Sequence, residues 1–166
     1  RILYDWYYNK ALPKWSPENG KNFYSIATDT DSVYCLVETD NVYQDMKDSK
    51  EDYDMSDYSD KCPVFGSFND PTNHKVPGLM KDECAGKLMT EMVFLRPKMY
   101  YYKVIDAVGT PSAGKESLVK KAKGIPKSGL KTISAEDYQV CMLEPQQKSV
   151  SFTAIRSQKH EIFTMK

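Results

Sequence analysis

The sequence predicts an α+β fold with mostly antiparallel strand pairing. Three observations carry that expectation. Several runs rich in aromatic and β-branched residues are joined by short polar connections, the pattern of hairpins. Helical patterning is confined to a few short stretches, near the start, at residues 40–47 and after Ser134. No strand–helix–strand rhythm and no internal repeat runs through the chain.

In chain order, Ile2, Leu3, Trp6, Tyr7 and Ala11 suit one face of a short helix. Pro13 is expected to end it, because proline brings no N–H and crowds the preceding turn. Residues 17–22 form a loop. Residues 22–27 (NFYSIA) and 33–37 (VYCLV) are strand-like, and the polar stretch Thr28–Ser32 between them makes a hairpin. Residues 40–47 read as a brief helix with Asp40 as N-cap. Residues 48–77 are acidic and rich in Asp, Ser, Asn and Pro, and are expected to form a surface excursion. The strand pattern returns with LMTEMVFLR from Leu88 and, after Pro97, with MYYYKVIDA. Residues 109–114 are a turn, and the basic run KKAKGIPK follows. Ser134 opens a helix as N-cap, with Glu136 and Asp137 in the first turn, where acids complement the helix dipole. Residues 149–155 and 161–165 are two further strands.

At 166 residues and 19.0 kDa, the chain is one ordinary domain or a piece of a larger protein. It opens on Arg1, which leads us to expect an internal piece. With 40% hydrophobic and 12% aromatic residues, 12 of them Tyr, collagen-like, coiled-coil and wholly disordered classes are excluded. No apolar run is long enough for a membrane helix, so no membrane partner is expected. The formal net charge is zero, yet the distribution is uneven. Residues 38–60 are strongly acidic, and residues 96–131 strongly basic. The four cysteines, Cys35, Cys62, Cys84 and Cys141, are widely spaced, and His74 and His160 stand apart from them, which argues against a zinc site. No secretory signal is evident, so free thiols in a reducing compartment are expected.

The sharpest feature is Asp29-Thr30-Asp31-Ser32 between two apolar strands. On extended backbone, residues two apart point the same way, so the turn offers two carboxylates at one sheet edge. Hard cations such as Mg²⁺ take oxygen ligands of this kind together with substrate phosphates. Asp, Ser and Thr are also ordinary turn formers, and a plain polar turn is the competing reading. An EF-hand is excluded because Val33 and Tyr34 stand where that loop needs another ligand and a glycine. The string Asp29, Asp31, Val33 also fits a haloacid-dehalogenase-type phosphatase, with Asp29 as nucleophile and Asp31 as acid/base, but that fold wants parallel βα units downstream.

The stretch Ala27-Thr28-Asp29-Thr30-Asp31-Ser32-Val33-Tyr34 resembles the third polymerase motif, Y-x-D-T-D-S, of family B DNA polymerases, with Ala27 where many members carry Tyr. Leu95-Arg96-Pro97-Lys98-Met99-Tyr100 resembles the K-x-Y motif of the protein-primed branch. The run from Lys120 to Lys127, followed by Ser134-Ala-Glu-Asp-Tyr, resembles the palm-to-thumb passage there. Residues 76–83 and 152–160 look like polymerases of Polinton/Maverick elements and related viruses. The resemblance implies that residues 1–110 are the later part of a polymerase palm, an antiparallel sheet with flanking helices. Within it lie the aspartate hairpin at 22–37, a variable acidic insert at 38–77 and the K-x-Y strand at 88–106. Residues 111–166 are then the passage into a partial, β-rich thumb.

The same resemblance implies nucleotidyl transfer from a dNTP to a primer 3′-hydroxyl, with two Mg²⁺ or Mn²⁺ ions in the complete site. Asp31 is then the principal shared metal ligand and Asp29 an accessory one, while Thr30 and Ser32 support the turn. Lys98 and Tyr100, two apart on a strand and so on one face, are expected to meet the primer terminus. Lys121 and then Lys123, with Lys120 and Lys127, are expected to hold backbone phosphates without reading sequence, and Gly124 to allow close approach. Arg156, Lys159 and His160 are a further candidate contact. The implied partners are primer-template DNA, dNTP and, through the branch, a terminal protein primer. The first and second polymerase motifs do not occur in these residues, so the chain alone is expected to be inactive. Two alternatives stand beside this reading: the phosphatase, and a non-catalytic DNA-binding remnant of a mobile element.

Overall fold

The computed structural model describes residues 1–165 and is α+β. The chain forms two compact units, each assembled from two stretches: Arg1–Thr90 with Val104–Ser117, and Glu91–Lys103 with the chain from Leu118 on. Among the described residues, no helix is long and apolar enough to cross a membrane.

The first unit starts with a helical segment of three parts: α1 (Ile2–Trp6), a π-helical turn (Tyr7–Ala11) and α2 (Leu12–Lys14). Pro13 therefore does not end the helix. The Leu12 N–H reaches five residues back, to the Tyr7 carbonyl. This wider turn supplies room for the proline ring that a regular α-turn lacks. The segment turns Trp6 and Ala11 inward, and Trp15 follows, all buried. Phe23 packs among these rings, stacked on Trp15 at 5.7 Å and edge-on to Tyr7 at 5.6 Å and Trp6 at 6.2 Å. Each such pair contributes about 0.5–1.5 kcal/mol beyond its burial.

Phe23 belongs to β1 (Asn22–Asp29), which pairs antiparallel with β2 (Ser32–Glu38) from Asn22↔Glu38 to Asp29↔Ser32. The hairpin is the one the sequence predicts, but its strands run further and leave only Thr30 and Asp31 in the turn. A bulge falls between Ser25 and Ala27. Phe23, Val33 and Val37 pack against the core, while the register partners Tyr24 and Leu36 are exposed.

Helix α3 (Val42–Lys47) is capped by Asn41, whose side chain accepts from the Tyr43 and Gln44 N–H groups, and not by Asp40 as the sequence suggested. Asn41 sits one residue outside the first helical position, where its oxygen reaches those N–H groups. Asp45 of this helix accepts from Trp15 Nε1 (2.9 Å), Lys21 Nζ (2.6 Å) and Thr39 Oγ1 (2.6 Å), tying helix, loop and hairpin together.

The acidic segment is not a surface excursion. Tyr53, Met55, Tyr58 and Phe65 are core residues of this unit. Most of its acids are exposed, but Asp54 faces inward, where backbone N–H groups satisfy it. Asp54, 6% exposed, accepts from the N–H of Ser56 (3.0 Å) and of Lys75 (2.9 Å). Short strands β3 (Tyr53–Asp54) and β4 (Met80–Lys81) pair in parallel beside it. Asp and Ser content misled because it said nothing of the four large apolar side chains spaced between them.

Strands β5 (Leu88–Arg96), β6 (Met99–Ile105) and β7 (Glu116–Ala122) form one sheet in that order. The two-residue link between β5 and β6 admits only antiparallel pairing. β7 is not among the expected strands, and the first residues of the basic run, Lys120 to Ala122, lie on it. In the second unit, Val93 and Tyr101 of this sheet pack with Ala135 and Tyr138 of α5 (Ala135–Leu143). Helix α4 (Lys127–Leu130) lies between β7 and α5 in sequence. Ser134 caps α5 as expected, and Asp137 completes a capping box with it. The last hairpin pairs β8 (Ala154–Gln158) with β9 (Glu161–Met165), so the penultimate strand starts later than the predicted 149.

Candidate functional site

Asp29 closes β1 and Ser32 opens β2 opposite it. Thr30 and Asp31 form the whole turn, and Asp31 is exposed while Asp29 is half-buried. The geometry differs from the expected one, because Asp31 is in the turn and not on extended backbone. The same-face argument for the pair therefore does not apply. What fixes the tip is Thr30, at φ 62°. That left-handed region suits Gly, Asn or Asp, and for a β-branched residue it is an outlier that costs about 1–3 kcal/mol. The Thr30 hydroxyl donates to Asp29 Oδ1 at 3.3 Å, so this residue both strains the turn and holds one carboxylate. Phe23, Val33 and Val37 pack the hairpin on the core, Phe23 and Val37 at its open end and Val33 next to the turn.

The donor set suits a hard divalent cation: two carboxylates, with the Ser32 and Thr30 hydroxyls beside them. Among the described residues, no group of three or more His, Cys, Asp or Glu side chains is arranged to hold a metal.

The second unit carries the basic candidates. Lys98 is not on a strand with Tyr100. It occupies the turn between β5 and β6, after Pro97, at φ 62°. Proline first and positive φ second is the pattern of a type II turn. Pro97 between two strand-like runs is the sequence signal that could have revealed it. Tyr100 lies one step into β6, is 5% exposed, and stacks on Phe94 at 5.5 Å and Tyr102 at 6.3 Å. The expected shared face of Lys98 and Tyr100 is therefore absent: Lys98 is exposed and Tyr100 is a packed ring.

Lys98 is instead brought to Lys123. The Lys123 N–H donates to the Lys98 carbonyl at 2.9 Å, which joins the β5–β6 turn to the end of β7. Lys121, two residues before Lys123, is exposed as well, and its carbonyl accepts from the Tyr138 hydroxyl at 2.8 Å. Lys127 begins α4 and is exposed. The ammonium groups of Lys98, Lys121, Lys123 and Lys127 make no ion pair or hydrogen bond among the described residues. Lys120 differs: its ammonium donates to the Ile133 carbonyl, so it is committed to the fold. Gly124 follows at φ 87° with open space where a side chain would stand. Arg156 lies on β8, and Lys159 with His160 forms the β8–β9 turn, both at positive φ.

Sequence reasoning missed the polar network around Glu91. Its carboxylate accepts from Lys103 Nζ (2.7 Å), Gln139 Nε2 (2.8 Å) and the buried Tyr101 hydroxyl. Only the alternation of β5 and β6 across facing strands could have brought Glu91, Tyr101 and Lys103 together. Comparison with protein-family models, with curated proteins and with solved structures gives no match.

Proposed function

We propose that this chain is part of a family B DNA polymerase, contributing the aspartate hairpin and a phosphate-holding basic surface to template-directed nucleotidyl transfer. The observation that carries the reading is the tip of the β1–β2 hairpin. It presents Asp29 and Asp31 at a strained two-residue turn, with Val33 beside the tip packed on the core and the Trp6, Trp15 and Phe23 rings holding the opposite end of the hairpin. Such a tip suits carboxylates that must hold their place against a charged substrate. Two divalent ions, when bound, favour the primer 3′-alkoxide and neutralise the leaving pyrophosphate. Asp31 would hold the shared ion, and Asp29 would assist from the strand end, steadied by Thr30. Further carboxylates must come from outside these residues.

The four unpaired lysines Lys98, Lys121, Lys123 and Lys127 then supply the sequence-independent grip on primer phosphates that such an enzyme needs. Lys120 drops out of that set, and Tyr100 serves by packing β6, the strand that follows the Lys98 turn. The phosphatase alternative is disfavoured by the hairpin, since its aspartates would end a strand of a parallel sheet, and β1 and β2 are antiparallel. The test is Asp31→Ala in the parent protein. Primer extension should be abolished while DNA binding is retained, and surviving extension would refute the reading.

A further inference from the structure

The first unit holds a cleft of about 270 Å³, remote in sequence from the aspartate hairpin, and its chemistry is that of an anion site. Three walls form it, and each is closed by its own hydrogen bonds. In the first, the Cys62 N–H bonds the Ser59 carbonyl (2.9 Å) and the Gly66 N–H the Cys62 carbonyl (2.8 Å). In the second, Asp82 accepts from the Cys84 N–H (2.9 Å) and the Gly86 N–H (2.8 Å). In the third, the loop from Asp106 is pinned by the Asp106 N–H to the Lys115 carbonyl (3.1 Å) and the Gly114 N–H to the Asp106 carbonyl (3.0 Å). The cleft is therefore built before any ligand arrives, which lowers the ordering cost of binding.

Its lining is cationic on balance. Lys61 and Lys87 line it with a single carboxylate, Asp106. Asp106 is already engaged: Lys87 Nζ lies 3.2 Å from it, and the Ser112 side chain, first, and then Lys87 hold its carboxyl below the usual range. Lys61 has no ion pair or hydrogen bond among the described residues. The Phe65 ring closes one side, so near Gly86 that a side-chain carbon there would sit 2.9 Å from it. Two ammonium groups, the Ser59 hydroxyl and one apolar wall match a phosphate carried by a small organic group.

We propose that this cleft binds a small phosphate ester, its phosphate held by Lys61 and Lys87 and its organic part lying against Phe65. This site is independent of the polymerase reading. The volume is just below the ordinary range for ligand pockets, which starts at about 300 Å³, and so favours a compact ligand.

The test is calorimetric titration of the full chain with AMP, inorganic phosphate and adenosine. EDTA is present throughout, so that cation-dependent binding at the aspartate hairpin is silent. One-to-one binding of AMP is expected, weakened about tenfold by Lys61→Ala and restored by Lys61→Arg. Lys98→Ala should leave it unchanged. Equal binding of inorganic phosphate would assign the site to free phosphate, and weaker binding to the ester. Absence of AMP binding, equal binding of adenosine, or loss on Lys98→Ala and not on Lys61→Ala would overturn the proposal. Circular dichroism of each variant separates a lost site from a lost fold.

Discussion

The backbone N–H of Lys123 donates to the carbonyl of Lys98, and this one bond sets two ammonium-bearing residues from separate segments side by side. Because the link is main-chain, either side chain can be removed without breaking it. Lys98→Ala and Lys123→Ala are thus expected to weaken binding of primer-template DNA while stability is unchanged. Each should also reduce the slope of log K against log salt by about one. Lys120→Ala should do the reverse. It loses the bond to the Ile133 carbonyl, costing about 1 kcal/mol of stability, and leaves the salt slope alone. Filter binding across a salt series, beside urea unfolding, separates the two behaviours.

Thr30 concerns the hairpin tip. At φ 62°, glycine removes a steric cost of about 1–2 kcal/mol and gives back part of it as chain entropy. Thr30→Gly should therefore raise the melting temperature by a few degrees, on the order of 2–4 °C per kcal/mol for a chain of this size. If the temperature falls instead, the hydroxyl bond to Asp29 outweighs the strain.

Much of the fold was legible in the sequence because it rests on local rules. Ser134 with acids in the turn after it announced a capped helix, and the polar stretch between two apolar runs announced the aspartate hairpin. What escaped depends on contacts that local rules do not contain. Pro13 stays within a helical segment only because a π-turn precedes it. The acidic segment enters the core because Asp54 finds N–H partners at Ser56 and, 21 residues away, at Lys75. At the candidate site, residue types were readable and conformations were not: positive φ at Thr30 and Lys98 displaced both same-face arguments at once.

Asp54 should make stability depend on acid. Burial pulls its carboxyl upward, but its bonds from Ser56 and Lys75, helped by Lys81, outweigh that and hold it at about 2, against an ordinary 3.8. A carboxyl depressed by folding contributes stability that is present above its unfolded value and lost as pH falls through its folded one. Stability from Asp54 should then decline between about pH 4 and pH 2. In Asp54→Asn that part of the decline should vanish. The same variant should be less stable at neutral pH by about 1–3 kcal/mol, since a carboxylate acceptor for two N–H groups becomes a neutral one. Urea titrations at several pH values measure both.

Glu91 and Tyr101 are expected to act as a unit. Tyr101 is fully buried, so its hydroxyl depends on Glu91 and on Gln139, whose Nε2 lies 2.8 Å away. Removing that hydroxyl in Tyr101→Phe keeps the ring packing with Tyr138 and leaves Glu91 its bonds from Lys103 and Gln139. The cost should be modest, about 1 kcal/mol. Removing the acceptor in Glu91→Ala is the harsher change. The buried hydroxyl then loses its charged partner, and Gln139 loses one of its two acceptors, for about 2–3 kcal/mol. In the double variant neither orphan remains at full cost, so the loss should fall short of the sum by about 1 kcal/mol. Strict additivity in a urea-denaturation cycle would mean that the two groups do not share a bond in solution.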